Sequence, residues 1–330
     1  MNSSKSFYKE IFQVTPAGFN DLALRLFRYQ AANSEIYAKY IGHLGVEPQY
    51  VEEIDQIPFL PISFFKEQKI VCGEWEVDQV FESSGTTGSS ASRHYVRDAN
   101  FYLDNTVKIF EKYYGDPTQY HIFALLPAYL ERTGSSLVLM AEHFLKLSHS
   151  PYGGFYLNDY DALIEGINKA RMDDDRKILL LGVSFALLDL AEDYKPDLEG
   201  VVVMETGGMK GRRKEMIRAE LHDTLCKGLN VAKVHSEYGM TELLSQAYSL
   251  GNGIFHTPPW MKILLRDIND PFDFSQKRAS GGINVIDLAN IDSCAFIETQ
   301  DMGRVVEGGG FEVIGRFDNS DIRGCNLMVY

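Results

Sequence analysis

The sequence predicts an α/β fold in which helices cover both faces of a largely parallel sheet. Runs of leucine and β-branched residues, such as 178–181 and 201–204, alternate along the chain with helical patterns. Continuous apolar runs of this kind are typical of parallel strands, because crossover helices bury both of their faces. After Gly251 the pattern changes to short strand candidates separated by proline and glycine pairs, which predicts a β-rich, antiparallel section.

The first sixty residues are predicted to be helical. Thr15 and Pro16 suit a helix start, because the hydroxyl can cap the helix while proline occupies an early helical position. Apolar residues then recur at helical spacing and form one packing face, namely Phe19, Leu22, Leu26 and Tyr29. Pro58 and Pro61 break this pattern and begin an extended passage.

Helices and strands alternate through the middle of the chain. Asp98 can cap a helix that ends at Gly115. Further helices are predicted at 185–190 and 212–227, and strands at 121–126, 178–181, 201–204 and 231–234. Parallel sheets bind ligands at the carboxyl ends of their strands, and the most polar strand exits are 205–210 and 235–242.

We expect one large domain in three parts, because the chain has neither a solenoid repeat nor a long linker. The parts are a helical portion at 1–80, an α/β core at 81–250, and a β-rich section with a short tail at 251–330. Strand candidates in the last part are 261–265, 283–287 and 311–314.

Composition and charge limit the classes of partner. The 330 residues include 45% hydrophobic and 24% charged residues, which is ordinary for a globular protein. The net charge of −14 argues against nucleic acid or an anionic membrane as the main partner, so a phosphate ligand would need Mg²⁺, Arg or Lys nearby. The four cysteines form no Cys-x-x-Cys pair, and neither a signal peptide nor an apolar run of membrane-spanning length is present. We therefore expect a cytoplasmic protein with reduced thiols, without structural zinc and without membrane insertion.

A glycine-rich loop at 82–90 is the most distinctive stretch. It contains six hydroxyl residues and two glycines, so many backbone N–H groups are unshielded and the loop can wrap closely around a polyphosphate. A flexible linker has a similar composition, but the strand-like run at 93–96 resumes directly after it. No Gly-Lys-Ser/Thr ends the loop, which disfavours a Walker loop. Lys66 could approach phosphate from the preceding segment, although a solvated surface lysine is the more common role.

Three separated motifs resemble, in order and character, the signatures of the adenylate-forming (ANL) superfamily. They are 83–88, 238–242, and Asp301 with 315–318. This superfamily includes acyl-CoA synthetases, peptide-synthetase adenylation domains and luciferases. The resemblance implies an ANL-type large N-terminal domain that lacks the small C-terminal domain, since only fourteen residues follow Arg316.

Within the superfamily, the chain looks most similar to the acyl-protein synthetases of bacterial fatty-acid reductase complexes, the LuxE type. It is less similar to phenylacetate-CoA ligases. The points of likeness are 59–66 ahead of the glycine-rich loop, the segment 126–132, the turn at 206–210, and the early end after Arg316.

The resemblance implies attack of a carboxylate on the α-phosphorus of Mg-ATP, which gives an acyl-adenylate and pyrophosphate. Thr241 would contact the α-phosphate, and Glu242 would ligate Mg²⁺, whose preference for carboxylate and phosphate oxygens fits. Glu242 could instead cap or pair on a following helix. The residues that would hold the β- and γ-phosphates are Ser83, Ser84, Gly85, Thr86, Thr87 and Gly88.

The same resemblance implies a site for the adenosine moiety of ATP or AMP. Tyr238, followed by Gly239, would lie against the adenine, and Gly207 and Gly208 would leave room for the purine. A plain helix-leading turn is the alternative for that glycine pair. The other two residues are Asp301, for the ribose hydroxyls, and Arg316, for the ribose or the phosphates. A turn aspartate is the alternative for Asp301, where the usual Thr-Gly-Asp has become Thr-Gln-Asp.

Cys325 corresponds to the cysteine that accepts the acyl group in acyl-protein synthetases and carries it to a partner reductase. Arg323 could favour its thiolate. The alternative is a small apolar residue in a terminal strand. The substrate implied is a carboxylic, by resemblance fatty, acid, with an acyl-accepting or acyl-reducing protein as partner. Two other functions stay open, namely transfer to coenzyme A or an amine, and a scaffold that binds nucleotide without turnover.

Overall fold

The computed structural model describes most of the chain, and every structural statement below concerns those residues. They are 4–83, 91–127, 134–207, 213, 216–274 and 279–317.

Helices dominate the N-terminal part, as predicted. Its elements are α1 (Ser4–Glu10), α2 (Phe19–Asn33), α3 (Glu35–His43), β1 (Leu60–Pro61) and α4 (Phe64–Glu67). The predicted start of the second helix at Thr15 is wrong, because α2 begins at Phe19 and the Thr15 hydroxyl accepts a hydrogen bond from the Gly18 N–H (3.3 Å) in the turn before it. The predicted apolar face of α2 is buried at Phe19, Leu22 and Leu26.

A short hairpin flanks the glycine-rich loop. Its strands, β2 (Gln79–Glu82) and β3 (Arg93–Val96), pair antiparallel, so the ends of the loop leave and re-enter one ribbon. Helix α5 (Ala99–Tyr114) follows, and the Asp98 side chain caps it by accepting from two backbone N–H groups. Gly115 ends α5 with a φ of 82°, so both predicted ends of this helix are confirmed.

The central part forms a six-stranded sheet in the order β5-β4-β6-β7-β8-β9. All neighbouring pairs are parallel except β8 with β9, which confirms the predicted largely parallel sheet. The elements are β4 (Tyr120–Leu125), α6 (Ser136–Ser148), β5 (Gly154–Phe155), α7 (Tyr160–Asp173), β6 (Lys177–Val183), α8 (Ser184–Asp189), β7 (Val202–Thr206), α9 (Arg218–Leu229), β8 (His235–Tyr238) and β9 (Ala247–Ser249).

Two predicted elements of this part are misplaced. The strand expected at 231–234 lies at His235–Tyr238, where β8 pairs with β7 and β9. The helix expected from 212 begins at Arg218. Of the residues interpreted as strand exits, Glu205 and Thr206 lie inside β7 and 235–238 inside β8, whereas Gly207 and 239–242 follow the two strands.

The C-terminal part forms a second, five-stranded sheet. Its strands are β10 (Met261–Arg266), β11 (Gly281–Asp287), β12 (Phe296–Val305) and β13 (Phe311–Arg316). They pair antiparallel, as predicted, and β1 adds to β12 in parallel. Strand β12 was not predicted, because beyond Ile297 its buried positions are occupied by polar residues such as Thr299 and Asp301.

The N-terminal helices pack against this second sheet. The ring of Phe296 in β12 lies 5.9 Å from the ring of Phe27, 6.3 Å from Tyr37 and 6.2 Å from Phe59. In addition, the buried Gln30 side chain donates to the Asn290 carbonyl (2.7 Å). Within the described ranges, no helix combines the length and apolar character that crossing a membrane requires.

We expect Phe296→Ala to lower the free energy of unfolding by about 3–5 kcal/mol, because it removes the ring on which three aromatic side chains converge and leaves a cavity. Urea unfolding followed by circular dichroism measures the effect. Met172→Ala is the control, since Met172 is 88% exposed and its loss should change stability by less than about 0.5 kcal/mol. Equal effects of the two substitutions would contradict the central position of Phe296.

Candidate active site

The Glu242 carboxylate lies against the base of the glycine-rich loop. The Ser92 hydroxyl donates a hydrogen bond to it, and Ser83 and Ser92 pair across the loop base through Ser92 N to Ser83 Oγ (2.8 Å) and Ser83 N to Ser92 O (3.0 Å). Burial raises the pKa of Glu242, whereas the positive charges of Arg316 and Lys66 oppose that rise. Two motifs that are far apart in the sequence therefore meet here, with two cations near the carboxylate.

The turn that carries Thr241 and Glu242 is held through its backbone. Nδ1 of His94 donates to the Thr241 carbonyl (2.8 Å), and the Asn290 amide donates to the Glu242 carbonyl (2.8 Å). The buried Asp287 carboxylate then accepts from the N–H groups of residues 244 and 245. The turn is therefore fixed on β3 and on the segment after β11.

Tyr238, Asp301 and Arg316 come together where the two sheets meet. The Tyr238 hydroxyl donates to Asp301 Oδ2 (2.9 Å), and Arg316 Nε lies 3.9 Å from Asp301 Oδ1 across the β12–β13 register. Burial raises the pKa of Asp301, while the charge of Arg316 and the Tyr238 hydrogen bond oppose that rise. Because Arg316 acts on both Glu242 and Asp301, it joins the two halves of the site.

The carboxyl ends of β7 and β8 carry a second buried pair. The Thr206 hydroxyl donates to the Glu237 carboxylate, directly before Gly207 and Tyr238 in the two strands. Gly207 has a φ of 73°, and its carbonyl accepts from the Ser184 hydroxyl (3.2 Å). At Gly239 a Cβ atom would collide with the Glu237 carboxylate, so a larger residue there would require that buried carboxylate to shift.

Glu205 is the most strongly paired carboxylate of this edge. It accepts from Arg218 Nη1 (2.6 Å) and from the Ser184 hydroxyl (3.1 Å), and the Arg218 guanidinium lies 4.7 Å from the centre of the Phe255 ring. Burial disfavours its charged form, but the neighbouring His222 ring (3.6 Å) and the charge of Arg218 outweigh burial and lower the pKa. Glu205 is therefore a charged anchor between β7 and α9.

All of the predicted site residues that the structure describes lie in this region. Ser83 and Glu242 are linked through Ser92, and Tyr238 and Arg316 through Asp301. Gly207, Gly239 and Thr241 adjoin them in the chain. The other predicted residues lie outside the described residues, namely Ser84, Gly85, Thr86, Thr87, Gly88, Gly208 and Cys325.

The donor set fits a magnesium nucleotide. Within the described part of the chain, no group of three or more histidine, cysteine, aspartate or glutamate side chains could hold a metal alone. Glu242 is a single buried carboxylate, and none of the described cations forms a salt bridge with it. Mg²⁺ commonly takes one or two protein carboxylates and completes its shell with phosphate oxygens and water. The site therefore suits Mg²⁺ that arrives with ATP.

Sequence patterns did not reveal His94, Asn290, Asp287 or the Thr206–Glu237 pair as parts of this region. His94 follows the glycine-rich loop closely, and four polar residues lie at or just after the end of a predicted strand, namely Asp287, Asn290, Asp292 and Ser293. Both features suggest buried polar turns, but neither indicates which residues these side chains would contact. The ring of His235, in β8, is hydrogen-bonded to the Tyr114 hydroxyl (3.0 Å).

Comparisons with known proteins agree with the fold. No protein-family profile matches the chain. It is similar to the structure of a 2-hydroxyisobutyryl-CoA ligase in the postadenylation state, with a TM-score of 0.66 and 12% identity, over 90% of this chain and 67% of the ligase. It is also similar to ATP-bound MatB from Rhodopseudomonas palustris, with a TM-score of 0.52 and 17% identity, over 74% of this chain and 49% of MatB. The chain thus has the fold of adenylate-forming enzymes.

One curated relative specifies the resemblance further. The chain is 21% identical over 327 residues to the long-chain-fatty-acid–luciferin-component ligase of Vibrio harveyi, which covers 92% of this chain and 85% of the relative. The resemblance to acyl-protein synthetases, predicted from the sequence, is confirmed by this relative. The chain spans about half of MatB and about two thirds of the CoA ligase.

We expect Glu237→Gln to stabilise the protein at pH 8 but not at pH 5. Burial raises the pKa of Glu237 to about 7 from 4.5, so the native state binds more protons between these values than the unfolded state does. Protonated Glu237 therefore favours the native state at low pH. Its contribution to the free energy of unfolding falls by up to about 3 kcal/mol as the pH rises through this window. Urea unfolding at both pH values measures the change.

The exposed Glu76 supplies the control, because Glu76→Gln removes a carboxylate that is already hydrated. A Glu237→Gln effect of the same size at pH 5 and pH 8 would contradict a buried, protonated carboxyl.

Proposed function

We propose that this protein activates a carboxylic acid with ATP, forming an acyl-adenylate and releasing pyrophosphate. The observation that carries this proposal is the meeting of Glu242 with the base of the glycine-rich loop, beside Arg316 and Asp301. A buried carboxylate, a hydroxyl-rich loop and two cations are the groups that binding of a magnesium polyphosphate requires. Similarity to adenylate-forming ligases supports it independently.

The residue roles follow from the resemblance to adenylate-forming enzymes. The loop 83–88 would bind the β- and γ-phosphates, Thr241 would contact the α-phosphate, and Glu242 would hold Mg²⁺. Mg²⁺ would neutralise the phosphate charge and make the α-phosphorus a better electrophile. Arg316 lies between Glu242 and Asp301, so it can stabilise charge that develops on the phosphates.

The adenosine would occupy the edge formed by β7 and β8. Gly207 and Gly239 carry no side chains at this edge, and the Tyr238 hydroxyl bonds to Asp301. Asp301 can accept from the ribose hydroxyls, since its Oδ1 is too far from Arg316 Nε for a hydrogen bond.

In the second step, a thiolate would attack the acyl carbonyl and displace AMP, forming a thioester. We propose Cys325 or a cysteine of a partner protein as this nucleophile, on the basis of the resemblance to acyl-protein synthetases. The name of the Vibrio harveyi relative favours a long-chain fatty acid as substrate and an acyl-accepting or acyl-reducing protein as partner. Because ATP is the co-substrate, we place the reaction in the cytoplasm. Coenzyme A is the alternative acceptor, since one structural neighbour is a CoA ligase.

We expect Glu242→Gln to reduce carboxylate-dependent ATP–pyrophosphate exchange at least about 100-fold, because the amide cannot supply the charge that holds Mg²⁺. Exchange with short, long-chain and aromatic acids should identify one class of substrate in the unmodified protein. Glu220→Gln, at an exposed position of α9, is the control and should exchange normally. Full exchange by Glu242→Gln, or none by the unmodified protein with any acid, would count against the proposal.

We expect Cys325→Ser to retain exchange but to lose acylation that survives denaturation. A serine hydroxyl is a far weaker nucleophile than a thiolate at neutral pH. Radiolabelled acid, ATP and gel electrophoresis with and without hydroxylamine detect the thioester. Cys226→Ser, at a partly exposed thiol of α9, is the matched control. Unchanged labelling of Cys325→Ser would assign the acceptor elsewhere.

A further inference from the structure

We infer that His94 and Asn290 are positioning residues for the adenylation step, because they fix the backbone on both sides of Glu242 and so aim its carboxylate. This inference rests on the proposed function. Neither residue is expected to touch the nucleotide.

His94 reaches the motif from the strand that follows the glycine-rich loop. Its ring is 1% exposed and lies between the rings of Phe65 (5.7 Å) and Phe81 (6.4 Å). Nδ1 lies 2.8 Å from the Thr241 carbonyl oxygen. Since a carbonyl oxygen can only accept, Nδ1 must carry the hydrogen.

The protonation state of His94 agrees with this geometry. Burial lowers the pKa of His94 to about 4, so its ring is neutral near pH 7. The Thr241 carbonyl therefore selects the tautomer with hydrogen on Nδ1, which makes His94 a fixed donor.

Asn290 holds the next carbonyl from another part of the fold. Its Nδ2 donates to the Glu242 carbonyl (2.8 Å), and its own backbone N–H bonds to the Asp287 carbonyl (3.0 Å). Gln30 of α2 donates to the Asn290 carbonyl (2.7 Å). Asn290 is fully buried, and three elements therefore fix its position.

These two hydrogen bonds act on consecutive peptide planes. The carbonyl of Thr241 belongs to the plane before the Glu242 Cα, and the carbonyl of Glu242 to the plane after it. Because peptide units are planar, holding both carbonyls restricts φ and ψ of Glu242 and hence the direction of its Cα–Cβ bond. The carboxylate is thereby held against Ser92 at the base of the loop.

The placement of His94 has a further consequence. The strand that carries His94 also ends the glycine-rich loop, and it pairs with the strand that begins the loop. The β2–β3 hairpin therefore positions both the groups that would hold the phosphates and the group that would hold Mg²⁺. Misplacement of a reacting group by about 1 Å can cost about 100-fold in rate.

The test compares His94→Leu with His94→Asn in ATP–pyrophosphate exchange. Leucine keeps the bulk but has no donor, whereas the asparagine amide nitrogen can take the place of Nδ1. We expect His94→Leu to lower kcat about 10-fold to 100-fold and to raise KM for Mg-ATP about 10-fold, and His94→Asn to restore most of both. Asn290→Leu should behave like His94→Leu.

His121 provides a matched control for loss of a buried histidine. It is fully buried, it bonds to Ser150 (2.7 Å) and Asp174 (3.0 Å), and it lies at the amino end of β4, on the opposite edge of the sheet. His121→Leu should lower the free energy of unfolding but leave kcat of the folded protein unchanged. An unaltered kcat in His94→Leu, an equal kcat loss in His121→Leu, or no recovery in His94→Asn would overturn the inference.

Calorimetry separates failure of this inference from failure of the proposed function. If the unmodified protein binds Mg-ATP but exchanges with no acid, the proposed reaction fails, and the inference still predicts that His94→Leu weakens the Mg²⁺-dependent part of ATP binding about 10-fold. An unchanged Mg²⁺ dependence would overturn the inference alone. If the unmodified protein does not bind Mg-ATP, both fail.

Discussion

The burial of the Glu242 carboxylate is the constraint around which the site is arranged. A carboxylate removed from water is costly unless hydrogen bonds or opposite charges compensate for the lost hydration. In the described residues, the Glu242 carboxylate is stabilised by the Ser92 hydroxyl, by its own backbone N–H and by the more distant charges of Arg316 and Lys66, yet burial keeps its pKa raised. Compensation is therefore incomplete in the protein alone. A divalent cation beside the carboxylate would complete it, which links the energetics of the fold to the proposed binding of Mg-ATP.

The same constraint explains why the N-terminal helices matter to the site. Gln30 in α2 donates to the Asn290 carbonyl and accepts from the Ala295 N–H (3.0 Å), so one buried amide ties the first part of the chain to the segment behind Glu242. A buried amide must satisfy both of its ends, which fixes its orientation. The α2 helix contributes no predicted site residue, yet its packing sets where Asn290 lies. The helical portion is thus a support for the site.

Apolar periodicity predicted the strands around 178–181 and 201–204, because both faces of those strands are buried and their side chains are apolar. It failed at β8, since Glu237 is polar and its partner, Thr206, lies 31 residues away in a neighbouring strand. The same limit applies to the site. The family resemblance supplied Tyr238, Glu242 and Asp301, whereas His94 acts on a carbonyl 147 residues away, and only the folded chain brings the two together.

The position of Asp301 shows how the two sheets meet at the proposed ligand site. A carboxylate has about four lone-pair positions, and the Tyr238 hydroxyl occupies one of them. At 3.9 Å, Arg316 Nε is close enough to stabilise the charge but too far for a direct hydrogen bond. The Tyr238 contact therefore orients the Asp301 carboxylate but leaves most of its lone-pair positions free to accept hydrogen bonds. Tyr238 belongs to the parallel sheet and Asp301 to the antiparallel one. A nucleotide bound by both residues would therefore also hold the two sheets in their present relative position.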